Sequence, residues 1–129
     1  MARHAVASRA AGLVLLAALA GCSNSPTEPG ESGTQWSLNQ TATETRSGVT
    51  LVISYDAARG RFDGTVTNTT NRTVTDVRVE IHLSNRTELG PTPRIGLAPQ
   101  EVRQVTLDNT SGGSFNWYSV HVEIGSSSG

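Results

Sequence analysis

The stretch Val77–Leu83, VRVEIHL, decides the fold of this chain. Apolar and polar residues alternate along it, with Val77, Val79, Ile81 and Leu83 against Arg78, Glu80 and His82. Because successive side chains of a strand point to opposite faces of a sheet, this strict alternation predicts a half-buried antiparallel strand. One face should lie in a core and the other in solvent.

Similar short patterns occur on both sides of this strand. They are VTLVISY (49–55), RFDGTVTN (61–68), VRQVTL (102–107) and WYSVHVEI (117–124), the last with Tyr118, Val120, Val122 and Ile124 on one face. Weaker strands are expected between residues 35 and 42, using Trp36 and Leu38, and between residues 94 and 97. Six or seven short strands separated by turn residues predict an all-β chain, a single antiparallel β-sandwich over residues 35–125. Residues 126–129 should be a flexible tail.

The N-terminus has the pattern of an export signal. Arg3 and Arg9 are basic, and residues 10–20 form an apolar run of Ala, Leu and Val with one Gly. A membrane-spanning helix needs about 20 apolar residues, so this run is too short to cross a bilayer. Its length fits the apolar region of a secretory signal peptide, which we place at residues 1–21.

The last residues of this signal, Leu19-Ala20-Gly21-Cys22, resemble the lipobox of bacterial lipoproteins. The resemblance implies cleavage between Gly21 and Cys22, attachment of a diacylglyceryl group to the Cys22 thiol and a membrane anchor in the cell envelope. Ser23 follows where an Asp would imply retention in the inner membrane, so the outer membrane is expected in a Gram-negative cell. The alternative is an ordinary signal peptide with a chance cysteine. A single cysteine argues against a disulfide-bonded secreted domain.

The segment after Cys22 has the composition of a tether. SNSPTEPGESG (23–33) contains no large apolar residue, so residues 22–34 are expected to be a flexible linker. Without residues 1–21 the chain keeps eight Arg and no Lys against eleven Asp and Glu, a net charge of about −3. This acidic balance offers no basic surface for nucleic acid.

The segment from Phe62 to Glu101 resembles FxLYD-type domains, small immunoglobulin-like sandwiches of bacterial envelope proteins. Three features carry the resemblance: Gly64-x-Val66-x-Asn68, the alternating strand that ends at Ile81-x-Leu83, and the turn Leu97-x-Pro99. Ile81 and Leu83 stand for the Phe and Leu of the motif, whereas Ser84, Asn85 and Gln100 depart from the family pattern. The resemblance implies a fold and no shared catalytic residues. In physical terms, Gly64 leaves room for a neighbour on the inward face or permits a bulge, and Asn68 can form an Asx-turn.

Catalytic chemistry finds little support in the sequence. The single cysteine is expected to carry lipid, and His82 and His121 are the histidines that remain after signal removal. Paired carboxylates are sparse. We therefore predict a protein that is not an enzyme and that needs no cofactor.

One pattern nevertheless suggests a binding site. Glu80-x-His82 and His121-x-Glu123 each place an acid and an imidazole on one face of a strand. If the two strands are neighbours, the four side chains can converge on a metal such as zinc. The alternative, which we prefer, is the ordinary alternation of charge on a solvent-exposed face without a metal site. Trp117 next to His121 suggests an aromatic contact for a glycan or a protein, or packing under the N-terminal strand.

Together these features predict a membrane-anchored envelope lipoprotein whose domain is a non-enzymatic protein-binding or assembly module. The lipid on Cys22 would contact the membrane, and the domain would contact another envelope protein. The alternative is a lipoprotein that binds a small ligand, either a metal or a glycan.

Overall fold

Two antiparallel sheets make up residues 33–126, the part of the chain that this computed structural model describes. The nine strands are β1 (Trp36–Ser37), β2 (Thr41–Arg46), β3 (Val49–Asp56), β4 (Arg61–Asn68), β5 (Val74–Leu83), β6 (Glu88–Leu89), β7 (Ile95–Leu97), β8 (Val102–Asp108) and β9 (Trp117–Glu123). Within residues 33–126, no helix is long and apolar enough to cross a membrane. The predicted signal peptide, Cys22, most of the tether and residues 127–129 lie outside the described residues.

The two sheets form the predicted sandwich. The first has the strand order β1-β9-β5-β6, with β7 also paired to β5, and the second has the order β2-β3-β4-β8. All pairings are antiparallel. The strand count exceeds the predicted six or seven because the strand expected over residues 35–42 is divided into β1 and β2, and because β6, a strand of two residues, was not expected. Strand β7 matches the weak strand expected between residues 94 and 97.

Strand β5 behaves as its alternation predicts. The four apolar residues of its alternating segment, Val77, Val79, Ile81 and Leu83, are buried in the core between the sheets. Burying such side chains is the main driving force for the fold, about 1.5–3 kcal/mol for each. The polar residues between them therefore lie on the outer face of the first sheet.

The N-terminal strand differs from the prediction of one strand over residues 35–42. The chain turns between β1 and β2, where the Gln40 N–H donates to the Ser37 carbonyl at 2.9 Å. The Gln40 side-chain oxygen in turn accepts from the Ser37 N–H at 2.8 Å. This reciprocal pair closes the turn, so the strand that follows begins only at Thr41 and runs to Arg46.

Four aromatic rings join the two sheets at one end of the core. Phe62 lies 4.9 Å from both Tyr55 and Tyr118 by ring centroid, and Phe115 lies 5.0 Å from Tyr55. The Tyr118 hydroxyl donates to the Gln40 carbonyl at 2.6 Å, which satisfies the one polar atom of a fully buried ring. Strand β9 is thereby fastened to the turn before β2.

Charged side chains close one side of the sandwich. Ala42, Glu44 and Arg46 lie at alternate positions of edge strand β2 and so share one face of it. Ala42 is buried, which shows that this face points inward. The Glu44 carboxylate accepts the Val122 N–H of β9 at 2.6 Å, and Arg46 donates to Glu123 at 2.9 Å. Contacts made by side chains of β2, and not backbone pairing, therefore join β2 to β9.

The glycine and asparagine of β4 have the structural roles expected of them. A Cβ built on Gly64 would lie 2.6 Å from the Ile53 Cα and closer still to the Val52 carbonyl oxygen, so only glycine fits there. Asn68 is fully buried at the end of β4, where its Oδ1 accepts the Thr70 N–H at 3.0 Å. This contact is the predicted Asx-turn.

Candidate functional site

The candidate residues lie on two neighbouring strands. Strands β5 and β9 pair with Glu80 opposite His121 and His82 opposite Ser119. The condition for the two acid–imidazole pairs to converge is therefore met. Because antiparallel partners on one face lie about 4.5–5.5 Å apart, Glu80, His82 and His121 form one group on the outer face of the first sheet.

Glu123 is the candidate residue that this group does not include. It lies opposite Arg78 in the register of β5 and β9, and its carboxylate forms an ion pair of 2.9 Å with Arg46 of β2. The ion pair directs Glu123 toward the second sheet. The charge of Glu123 still raises the pKa of Glu80. Its ion pair, however, joins β9 to β2 at the side of the sandwich.

The prediction that this face is solvent-exposed is wrong for its centre. His121 is only 4% exposed and Ser119 only 3%. The chain at Gly33 covers them, since a Cβ built on Gly33 would lie 3.0 Å from the His121 Cε1 and 3.2 Å from the Ser119 Cβ. Gly33, the first described residue, therefore lies over the outer face of β9.

His82 is held between an aromatic neighbour and two acids. Its ring lies 4.9 Å from the His121 ring, at an interplanar angle of 67°. Its Nε2 lies 3.9 Å from the Glu80 Oε2 and 4.0 Å from the Glu88 Oε2. This nitrogen is inaccessible to solvent and makes no hydrogen bond among the described residues.

Glu88 is the site residue that the sequence analysis did not identify. It belongs to the two-residue strand β6, which pairs with β5 so that Glu88 lies directly opposite His82. The hairpin turn is closed by the Leu83 N–H donating to Thr87 O at 2.8 Å and the Thr87 N–H donating to Asn85 Oδ1 at 3.0 Å. The SNRT turn after β5 was the available signal, but β6 is too short to show alternation.

Glu80 is the residue of this group whose pKa is shifted by its surroundings. The pKa of Glu80 is raised above its ordinary value, first by burial and then by the nearby carboxylates of Glu88 and Glu123. His82 and Arg78 act in the opposite direction and lower the pKa. Burial and the neighbouring carboxylates thus outweigh the effects of His82 and Arg78 on the pKa of Glu80.

A cleft of about 310 Å³ opens beside this group. It is lined by His82, Leu83, Arg86, Thr87, Glu88, Trp117 and Ser119. Trp117 is half-buried, pairs with Ser37 of β1 and borders the cleft. Both predicted environments of Trp117, packing under the N-terminal strand and contact with a ligand, are compatible with this position.

The arrangement offers metal-ligand and hydrogen-bonding chemistry. Within residues 33–126, the metal-ligating group of three or more side chains consists of Glu80, His82 and Glu88, whose ligand atoms all lie within 4.8 Å of one another. This set differs from the predicted four residues by the inclusion of Glu88 and the loss of His121 and Glu123. Comparison of the chain with protein-family models, curated proteins and solved structures finds no match.

Proposed function

We propose that this protein is a lipid-anchored lipoprotein of the bacterial cell envelope whose immunoglobulin-like β-sandwich is a non-enzymatic module for binding another envelope protein. The motif Leu19-Ala20-Gly21-Cys22 carries the proposal, because it follows a basic start and a short apolar run. The tether composition of residues 23–33 and the resemblance to FxLYD-type domains support it. At about 0.8 kcal/mol per buried CH₂, two or three acyl chains on Cys22 anchor the domain firmly.

The free edge of β8 supports the binding role. Strand β8 has β4 as its strand neighbour, and its other edge has no strand partner among residues 33–126. Val102 at the start of β8 is 60% exposed. Among residues 33–126, the other exposed large apolar residue is Val52, which is less exposed. An unpaired strand edge presents a row of N–H and C=O groups to which an extended polypeptide can add as a further strand.

The anchor is tested by replacing its attachment atom. Cys22→Ser is expected to abolish labelling by a palmitate analogue in intact cells and to leave the precursor uncleaved, because the thiol is the acyl acceptor. Ser23→Ala serves as the control and is expected to keep both labelling and cleavage. Labelling that persists in the Cys22→Ser protein would contradict the lipoprotein assignment.

The binding edge is tested by photocrosslinking in intact envelopes. A photoreactive residue at Val102 is expected to form a discrete adduct with one protein partner. The matched control is the same residue at Val52, an exposed valine of the interior strand β3. Adducts that are equally strong at both positions, or absent from both, would overturn the β8 edge as the binding surface while leaving the lipid anchor untouched.

The second candidate function is small-ligand binding, either of a metal or of a glycan. The cleft beside His82, Glu88 and Trp117 favours it, because polar groups and one aromatic ring converge there. A partner on the β8 edge and a ligand in this cleft would occupy opposite sheets, so the two functions are compatible.

A further inference from the structure

Three potential metal ligands come from one hairpin of the first sheet. Glu80 and His82 are two residues apart on β5 and so share its outer face, and Glu88 of β6 is the cross-strand partner of His82. The imidazole nitrogen lies 3.9 Å and 4.0 Å from the two carboxylate oxygens. The backbone pairing of β5 with β6 fixes this arrangement, so the ligands do not depend on a long loop.

The distances suit a cation placed between the three atoms. Zinc takes His nitrogen and carboxylate oxygen at about 2.0–2.2 Å, which puts tetrahedral ligand atoms about 3.4 Å apart. The ligand atoms, all within 4.8 Å of one another, need to approach by about 0.5–1.4 Å. Rotation of the Glu88 side chain, which is 53% exposed, can supply most of this movement.

The histidine is oriented before any ligand binds. His121 is buried and its ring packs edge-on against the ring of His82, which limits rotation of that imidazole. The His82 Nε2 points into the space between the acids, where it makes no hydrogen bond among the described residues. A metal ion would satisfy this nitrogen and neutralise the two carboxylates together. Preorganisation of this kind reduces the entropic cost of binding.

We propose that Glu80, His82 and Glu88 bind one divalent first-row transition-metal ion of the zinc class. One imidazole and two carboxylates form a mixed nitrogen and oxygen donor set, which suits zinc better than calcium or magnesium. With three protein ligands, a fourth coordination position remains for water or for a ligand in the cleft. The inference rests on the small-ligand alternative and is independent of the lipid anchor and of the β8 edge.

Zinc titration of the full chain tests the site. The Cys22→Ser protein is purified in detergent and treated with a chelator, so that no thiol competes for the metal. Isothermal titration is expected to show saturable binding of one zinc per chain. The melting temperature should rise by about 10 °C when free zinc reaches about 100 times its Kd. X-ray absorption of the zinc-loaded protein should show nitrogen and oxygen ligands.

Variants test the assignment at two of the three residues. His82→Gln and Glu88→Gln are each expected to weaken zinc binding more than about tenfold, because even supporting residues of a metal site cost 10–100-fold when replaced. The matched control is Glu101→Gln, a carboxylate of another part of the surface, which should leave the affinity unchanged. Glu88 is exposed, so its replacement does not endanger folding.

Two results would overturn the metal site. The first is the lack of saturable heat and of any melting shift in the parent protein, which would leave His82 and the acids as an ordinary ion cluster. The second is unchanged zinc affinity in the folded Glu88→Gln protein, which would place the metal elsewhere. Neither result would bear on the lipid anchor or on the β8 edge, which are tested separately by palmitate labelling at Cys22 and by crosslinking at Val102.

Discussion

A single buried amide joins the end of β4 in the second sheet to the turn that follows it and to the end of β7 in the first sheet. The Asn68 Nδ2 donates to the carbonyls of Arg72, Leu97 and Ala98 at 2.7, 3.0 and 3.0 Å. Its Oδ1 accepts from both the backbone and the hydroxyl of Thr70. The amide nitrogen donates to carbonyl groups and the amide oxygen accepts from a backbone N–H and a hydroxyl. Because Asn combines a donor and an acceptor at these two positions, no other side chain of this size makes all of these contacts.

Loss of this amide should destabilise the whole domain. We expect Asn68→Ala to lower the free energy of unfolding by about 3 kcal/mol, because buried carbonyls would lose their donor. The comparison variant is Asn71→Ala, an exposed asparagine of the same turn, with an expected change below about 0.5 kcal/mol. Urea denaturation of the Cys22→Ser protein measures both values. Equal stability of the two variants would contradict the assigned role of Asn68.

At the scale of elements, the contact between β2 and β9 depends on a partly buried carboxylate. The pKa of Glu44 is raised above its ordinary value mainly by burial, while the Val122 N–H and Arg46 oppose this effect and Glu123 adds to it. The folded protein therefore binds a proton at Glu44 more tightly than the unfolded chain does. The contribution to stability is fully present below the unfolded pKa and is lost as pH rises through the folded pKa.

This sign gives a pH-dependent prediction. Glu44→Gln keeps an oxygen acceptor for the Val122 N–H but removes the buried charge, so its melting temperature relative to the parent should rise between about pH 4 and pH 7. Asp63 is the control of opposite sign, because its hydrogen bond from Arg61 lowers its pKa. The melting temperature of the Asp63→Asn protein should instead fall relative to the parent as pH rises through the range below about pH 4, and should stay level relative to the parent above it. Parallel melting curves for Glu44→Gln and the parent would refute the prediction.

The sequence predicts the long elements and the short strand β7, but it does not predict the two-residue strands as separate elements. The alternation in Val77–Leu83 is visible because one face meets a core and the other does not, and the structure confirms it. Strands β1 and β6 have only two residues each, too few for any period to appear. Their position comes from side chains and turn hydrogen bonds, such as the pair between Ser37 and Gln40, which no local pattern reveals.

The same limit explains what was missed at the candidate site. Glu80, His82 and His121 were identified because each is a polar residue in a clear strand, and the register places them together. Glu88 was not identified because its strand shows no period. The burial of His121 also follows from a distant segment, the chain at Gly33, whose path depends on tertiary structure.

At the scale of the whole molecule, the pairings join segments that are far apart in the chain. Strand β9 pairs with β1 and β5, and β4 pairs with β8. Sandwiches with such non-local pairings fold in milliseconds to seconds, because long loops must close before the contacts form. Trp36 and Trp117 both lie in the β1–β9 pairing and report on its formation.

Stopped-flow fluorescence checks this expectation. Refolding of the Cys22→Ser protein from urea should give a tryptophan signal with a time constant between about 1 ms and several seconds. Trp36→Phe should change the amplitude but keep the rate within a factor of about two, because β1 contributes only two residues. Completion of the signal within microseconds would contradict the non-local topology.

The path of the chain over His121 has a consequence for how the domain is presented. As the flexible tether predicted from their composition, residues 23–33 would reach about 18 Å, using about 5–6 Å × √n, and would join the described domain at Gly33, over the outer face of β9. On a lipidated Cys22 this attachment point would turn that face toward the headgroups and the second sheet away from them. A solute reaching the Glu80, His82 and Glu88 group would then approach along the bilayer surface, whereas a protein reaching Val102 would approach from the aqueous side. The position of Gly33 would therefore favour one orientation of the domain, and the length of the tether would limit its height above the membrane.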